Sequence, residues 1–141
     1  MFLLDTNVVS ELRRPKPDPN VVRWVSGLPS GSAFMSVVTI GEIARGIAQR
    51  RRDNPPHADA LQAWLDRLIG DYGDRVLPVD AVIAKRWGAL VAAHPQLAVD
   101  MLLAATALEH GLTVATRNED HIRRSGAAVV NPFKPSTSKR G

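Results

Sequence analysis

The chain has 141 residues, 45% hydrophobic and 23% charged, enough for one globular domain with a proper core. It contains no cysteine, which excludes disulfide frameworks, cysteine-ligated zinc and thiol catalysis. Eighteen Lys and Arg against 14 Asp and Glu leave a net charge of +4, a balance suited to a polyanionic partner such as nucleic acid. Met1 leads straight into apolar sequence, without the n- and h-regions of a signal peptide. No apolar run reaches the ~18 residues of a membrane span, so the expected location is the cytoplasm.

In chain order, "FLL" (2–4) reads as a short buried strand, and "DTNVVSELRR" as the helix behind it, stopped by Pro15, Pro17 and Pro19. A helical stretch over 20–28 ends at Gly27 and Pro29. "AFMSV" (33–37) is the second strand and "TIGEIARGIAQRR" the following helix. "RRRDNPP" (50–56) is a charged turn before a helix over 57–72, whose Leu61, Trp64, Leu65, Leu68 and Ile69 keep helical spacing. A strand over 75–79 precedes a helix over 80–94 capped by Asp80. A helix over 100–111 closes at Gly111, the usual residue beyond a helix end. "LTVAT" (112–116) and "AAVVN" (127–131) are the last strands, and the Pro/Ser/Lys-rich stretch 132–141 is expected to fray. Strands alternating with helices predict an α/β fold on a mainly parallel sheet.

In such a sheet ligands bind beyond the carboxyl ends of the strands. Asp5 ends the first strand, Glu42 falls in the first turn of the helix after the second, and Asp100 starts the helix leading into "LTVAT". Thr116, Arg117 and Asn118 end that strand, on the same edge. Each has a plainer explanation: Asp5 and Asp100 as N-caps, and "TIGE" (39–42) and "TRNE" (116–119) as capping boxes. Taken together, the caps explain less. Asp5 and Asp100 lie in apolar sequence, where an unpaired buried carboxylate is costly. A divalent cation offsets that cost, and an all-oxygen donor set favours Mg²⁺ or Mn²⁺. Such a site supports metal-assisted phosphodiester hydrolysis.

"FLLDTNVVSELRRP", "SVVTIGEIARG", "DMLLAATALEHGLTVATRN" and "NPF" resemble the PIN domain, specifically the VapC/FitB-like toxin ribonucleases of bacterial toxin–antitoxin pairs. The resemblance runs in order over residues 1–133, leaving 134–141 as a tail. It implies a three-layer α/β/α sandwich and an Mg²⁺- or Mn²⁺-dependent endoribonuclease leaving 5′-phosphate and 3′-hydroxyl ends. It also implies a homodimer inhibited by a small cognate antitoxin, with a higher hetero-oligomer as the complex. Asp5, Glu42 and Asp100 match the family's three core acids. Asp5 and Asp100 would ligate the metal directly, with Glu42 a ligand or water-positioning acid. Thr6 would support the metal shell and Asn7 the loop behind Asp5.

The fourth acidic position departs from the family pattern. Asn118 stands where relatives carry an acid, and His121-Ile122 where Asp-Phe often follows. Glu119 and Asp120 are alternative carboxylates. None of the four histidines has metal-ligand spacing; His110 reads as a helix-end cation, and His121 is a minor candidate for a base near the site. Trp24 and the apolar face of 57–72 are candidates for an antitoxin groove. "QRRR" (49–52) reads as a solvated helix end, or as an RNA phosphate contact. Two rival functions are a non-catalytic PIN-like scaffold binding RNA or a partner, and a small-molecule phosphohydrolase. The haloacid-dehalogenase form of the latter needs an Asp where Asn7 stands.

Overall fold

The computed structural model describes residues 1–135. Its elements are β1 (Phe2–Leu4), α1 (Thr6–Glu11), α2 (Pro19–Ser26), β2 (Ala33–Ser36), α3 (Val37–Arg51) and α4 (Pro55–Tyr72). They continue with β3 (Val76–Leu77), α5 (Ala81–Ala93), α6 (Ala98–His110), β4 (Thr113–Ala115), α7 (Glu119–Arg123) and β5 (Val129–Val130). The strands form one sheet in the order β3-β2-β1-β4-β5, and every pairing is parallel. Chain order runs outward one way from β1 to β3, then crosses back and runs the other way through β4 and β5. Right-handed crossovers put helices from opposite directions of travel on opposite faces.

The side chains follow this rule. Leu4, Met35 and Ala115 face a core built with Val8 and Val9 of α1, Val21 of α2, Ile43 and Ile47 of α3, and Ala58 and Leu65 of α4. Leu3, Leu77 and Val114 face the other core, with Leu103, Ala104 and Ala107 of α6 and Ile122 of α7. Neighbouring residues of one strand thus enter different cores, as the two-residue period of a strand requires. The result is an α/β/α sandwich. Leu3 and Leu4 are fully buried, each contributing roughly 1.5–3 kcal/mol of transfer free energy. Helix α6 is apolar almost all round because α5 covers its outer side, and the Trp87 Nε1–H donates to Ala98 O at 2.8 Å between them.

Several boundaries differ from the sequence expectation. Val37 belongs to α3 rather than β2, because Ser36 is the N-cap and its side chain accepts from Val38 N. Thr39 is therefore a fully buried residue inside the helix, the "TIGE" capping box does not form, and Glu42 lies in the second turn. Pro19 does not stop the first helix, which ends at Glu11, but opens α2 behind the Asp18 cap; its missing N–H is harmless there. Helix α6 begins at Ala98 with no side-chain cap, so Asp100 is its third residue and caps nothing. The one-turn helix α7 had too short a pattern to be predicted. Phe133 and Lys134, expected to fray, are held: Phe133 O accepts from Asn20 Nδ2 at 3.0 Å, and the Arg117 guanidinium stacks on the Phe133 ring at 3.8 Å. The rest of the expected tail, 136–141, lies outside the described residues.

Candidate active site

The strand order reverses between β1 and β4, and an open parallel sheet leaves its ligand crevice at the carboxyl side of such a reversal. Asp5 leaves β1 there, its N–H donating to Ala115 O at 2.9 Å, while Thr116 leaves β4 with its N–H on Val130 O at 2.9 Å. The ladder register thus sets the two residues side by side. Thr116 Oγ1 donates to Asp5 Oδ2 at 2.8 Å, and Thr6 N donates to Asp5 Oδ1 at 2.6 Å. Asp5 does cap α1 as expected, but only through one oxygen. Asn7 Nδ2 reaches Asp5 Oδ2 at 3.4 Å, and Asn7 Oδ1 accepts from Arg117 N at 3.2 Å. Asn7 therefore ties the two strand ends together behind Asp5.

Asp5 is 5% exposed. Burial pushes its pKa from 3.8 up to about 6, against the hydrogen bonds from Thr116 and Thr6, and the charges of Asp100 and Glu42 raise it further. Carboxylates from the end of β1, from α3 and from α6 therefore share one edge, where the charges of Glu42 and Asp100 reach Asp5. Glu42 accepts the Thr6 hydroxyl through Oε1, so Thr6 acts on Glu42 rather than standing alone beside Asp5. Asp100 Oδ2 lies 3.0 Å from His121 Nδ1.

The fourth position sorts itself by partner. Asn118 is exposed, its side chain makes no cap bond to α7, and its N–H donates to Thr116 Oγ1 at 2.9 Å. Glu119 is bound by Lys134 Nζ at 2.6 Å, Arg123 Nη2 at 3.1 Å and Asn131 Nδ2 at 3.2 Å. Lys134 above all, then Asn131, holds its carboxyl below the usual range. Asp120 is exposed and pairs with Arg123. Of residues 118–121, only His121 hydrogen-bonds one of the three acids. Sequence reasoning underrated it because α7, which turns it inward, was not foreseen. Thr116 was placed on the right edge, but its bond to Asp5 depends on the β1–β4 register.

The donor set suits a hard divalent cation: carboxylate oxygens, one of them buried at a cost that a positive charge would offset. Among the described residues no three Asp, Glu or His side chains stand as a ready-made cation cage. A cleft of about 500 Å³ opens from Thr6 and Glu42 between α1, α3 and α4, with Arg13, Arg14, Arg50 and Trp64 on its walls. A larger cleft, about 820 Å³, surrounds Trp24 and Lys134 and contains none of the three acids. Trp24 and Trp64, paired in the sequence reading as one possible groove, line different clefts. Thr116→Val tests the anchoring of Asp5: it removes the donor to a buried carboxylate and the acceptor of Asn118 N. A loss of about 1–2 kcal/mol is expected, read by urea denaturation; an unchanged midpoint refutes it.

An all-parallel sheet between two layers of helices defines an α/β/α sandwich, and the PIN-domain family model matches residues 2–127. The chain belongs to the PIN-domain family. It is 35% identical to the toxin FitB of Neisseria gonorrhoeae, over 94% of this chain and 99% of that protein. It is 30% identical to the VapC ribonuclease Y4jK of Sinorhizobium fredii, over 96% of this chain and 100% of that one. The crystal structure of FitAcB from Neisseria gonorrhoeae superposes with a TM-score of 0.86 at 33% identity, covering 94% of this chain and 99% of that chain. Similarity at this level over nearly the whole length shows the α/β/α sandwich to be the PIN fold.

Proposed function

We propose that this protein is the toxin of a toxin–antitoxin pair, an endoribonuclease that hydrolyses RNA phosphodiester bonds with Mg²⁺ or Mn²⁺. The observation that carries the reading is the buried Asp5 carboxylate, charge-coupled to Asp100 and Glu42 at the strand-order reversal. Asp5 and Asp100 would hold the cation, with Glu42 as a further ligand or an acid positioning water. Thr6 orients Glu42, and Asn7 fixes the turn that presents Asp5. Asn118, at the open rim, would act through water or on the RNA backbone. A bound divalent cation lowers the pKa of its water and offsets charge on the scissile phosphate. Arg13, Arg14 and Arg50 along the adjoining cleft favour a polyanion approaching there.

The likeness to the toxin FitB supports a cognate antitoxin as protein partner, and a homodimer is proposed as the unit that binds it. The catalytic domain is taken as 1–133, and its place of action as the cytoplasm, where RNA is available. No helix among the described residues is long and apolar enough to cross a membrane.

Induction of the wild type in a bacterial host, beside Asp5→Ala and Asp100→Ala, tests this reading with RNA ends mapped. The wild type is expected to arrest growth and to produce metal-dependent cuts with 5′-phosphate ends, and both variants to do neither. The competing reading is a PIN scaffold that binds without cutting, favoured by the absence of a ready-made cation cage among the described residues. Equal growth arrest by all three proteins, with no cuts, would establish it.

A further inference from the structure

We propose that His121 is a positioning residue of the acidic site, holding Asp100 for the cation by a hydrogen bond from Nδ1–H. The inference rests on the metal-dependent reading above. Beyond Thr116 and Arg117, β4 leads into four more polar side chains, residues 118–121. Three are accounted for elsewhere: Asn118 faces solvent, Glu119 is saturated by Lys134, Arg123 and Asn131, and Asp120 pairs with Arg123. His121 alone crosses from α7 to α6, with Nδ1 at 3.0 Å from Asp100 Oδ2.

The direction of that bond follows from the chemistry of the pair. An ionised carboxylate has no proton to give and can only accept, so the ring carries its hydrogen on Nδ1 and presents Nε2 outward. The imidazole side chain is 45% exposed while Asp100 is 19% exposed, so the acid is the more enclosed of the two, and the bond to the ring restrains its rotation. A carboxylate pinned through one oxygen has a single orientation in which to offer the other. Carboxylates and imidazoles that support metal ligands in this way typically change affinity by about 10- to 100-fold when removed. The hydrogen bond also bridges α6 and α7, linking the site to the loop that carries Thr116 and Asn118.

The test uses the full chain with Mn²⁺ as the probe, its free concentration read by electron paramagnetic resonance. His121→Leu is expected to weaken Mn²⁺ binding about tenfold or more, while leaving the melting temperature within a few degrees because the residue is half exposed. His121→Asn places an amide N–H close to the position of Nδ1 and is expected to recover affinity to within about threefold of wild type. Wild-type affinity in His121→Leu overturns the proposal, as does failure of a folded His121→Asn to recover it. A nitrogen coupling to Mn²⁺ in pulsed resonance spectra overturns it too, because it makes the imidazole a direct ligand. No Mn²⁺ binding by the wild type refutes both this inference and the metal reading. Mn²⁺ binding without RNA cleavage refutes only the ribonuclease reading, and the two affinities then decide the role of His121.

Discussion

Asp5→Asn is expected to unfold at higher urea than the wild type in divalent-free buffer at pH 7, while losing at least about a thousandfold in RNA cleavage. The two effects have one origin. A carboxyl whose pKa is lifted from 3.8 to about 6 is ionised at neutral pH against the preference of its surroundings, at a cost of about 3 kcal/mol. An amide removes that charge and keeps an oxygen for the Thr6 N–H. It also sets an N–H₂ against the donors Thr116 and Asn7, which returns part of the gain. A net stabilisation of about 1–2 kcal/mol is therefore expected. Asp5→Ala would remove the acceptor of Thr6 N and leave a void, so the asparagine variant is the informative one. Equal or lower stability of Asp5→Asn would contradict the view that Asp5 is held charged at a cost for function.

The second large effect is the pH and cation dependence of the wild type. Asp5 binds its proton more tightly folded than unfolded, so between pH 3.8 and about 6 the folded state holds the extra proton. Stability from this group is then fully present at low pH and is lost as pH rises through the folded value. Other carboxylates titrate in the same range, so the quantity to measure is the difference between wild type and Asp5→Asn. That difference should move against the wild type by about 3 kcal/mol between pH 3.5 and 7.5. Mg²⁺ or Mn²⁺ at about 100 times its dissociation constant should return about 2.7 kcal/mol to the wild type at pH 7.5, and nothing to Asp5→Asn. A difference that stays flat with pH, or a cation effect shared by both proteins, would show that Asp5 is not the group responsible.

These effects were partly visible before any folding was considered. Asp5 and Asp100 stand in apolar sequence, and that alone marks them as carboxylates with something to do. Glu42 was harder, because "TIGE" has the form of a capping box. The helix begins three residues earlier than that pattern says, at Ser36, which turns Thr39 into the core and frees Glu42 for Thr6. Local patterns identify helices well, but they do not settle which of several adjacent Ser or Thr residues is the cap. That is decided by where the strand before it runs out of partners. The Pro-rich segment behaved similarly: Pro19 can end one helix or start another, and only the docking of Val21 and Trp24 on the sheet chooses.

What the sequence determined by itself is the alternation of strands and helices, the parallel α/β class and the placing of three acids on one edge of the sheet. Hydrophobic period and the chemistry of isolated carboxylates are local properties, legible residue by residue. What only the tertiary structure decided is what each acid touches. The strand order puts Thr116 beside Asp5, a one-turn helix brings His121 to Asp100, and Lys134 draws Glu119 away. Those contacts join residues about 15 to 110 positions apart, or hang on a five-residue helix. They depend on register and crossover direction, which are set by the burial of two whole cores rather than by any short stretch of chain.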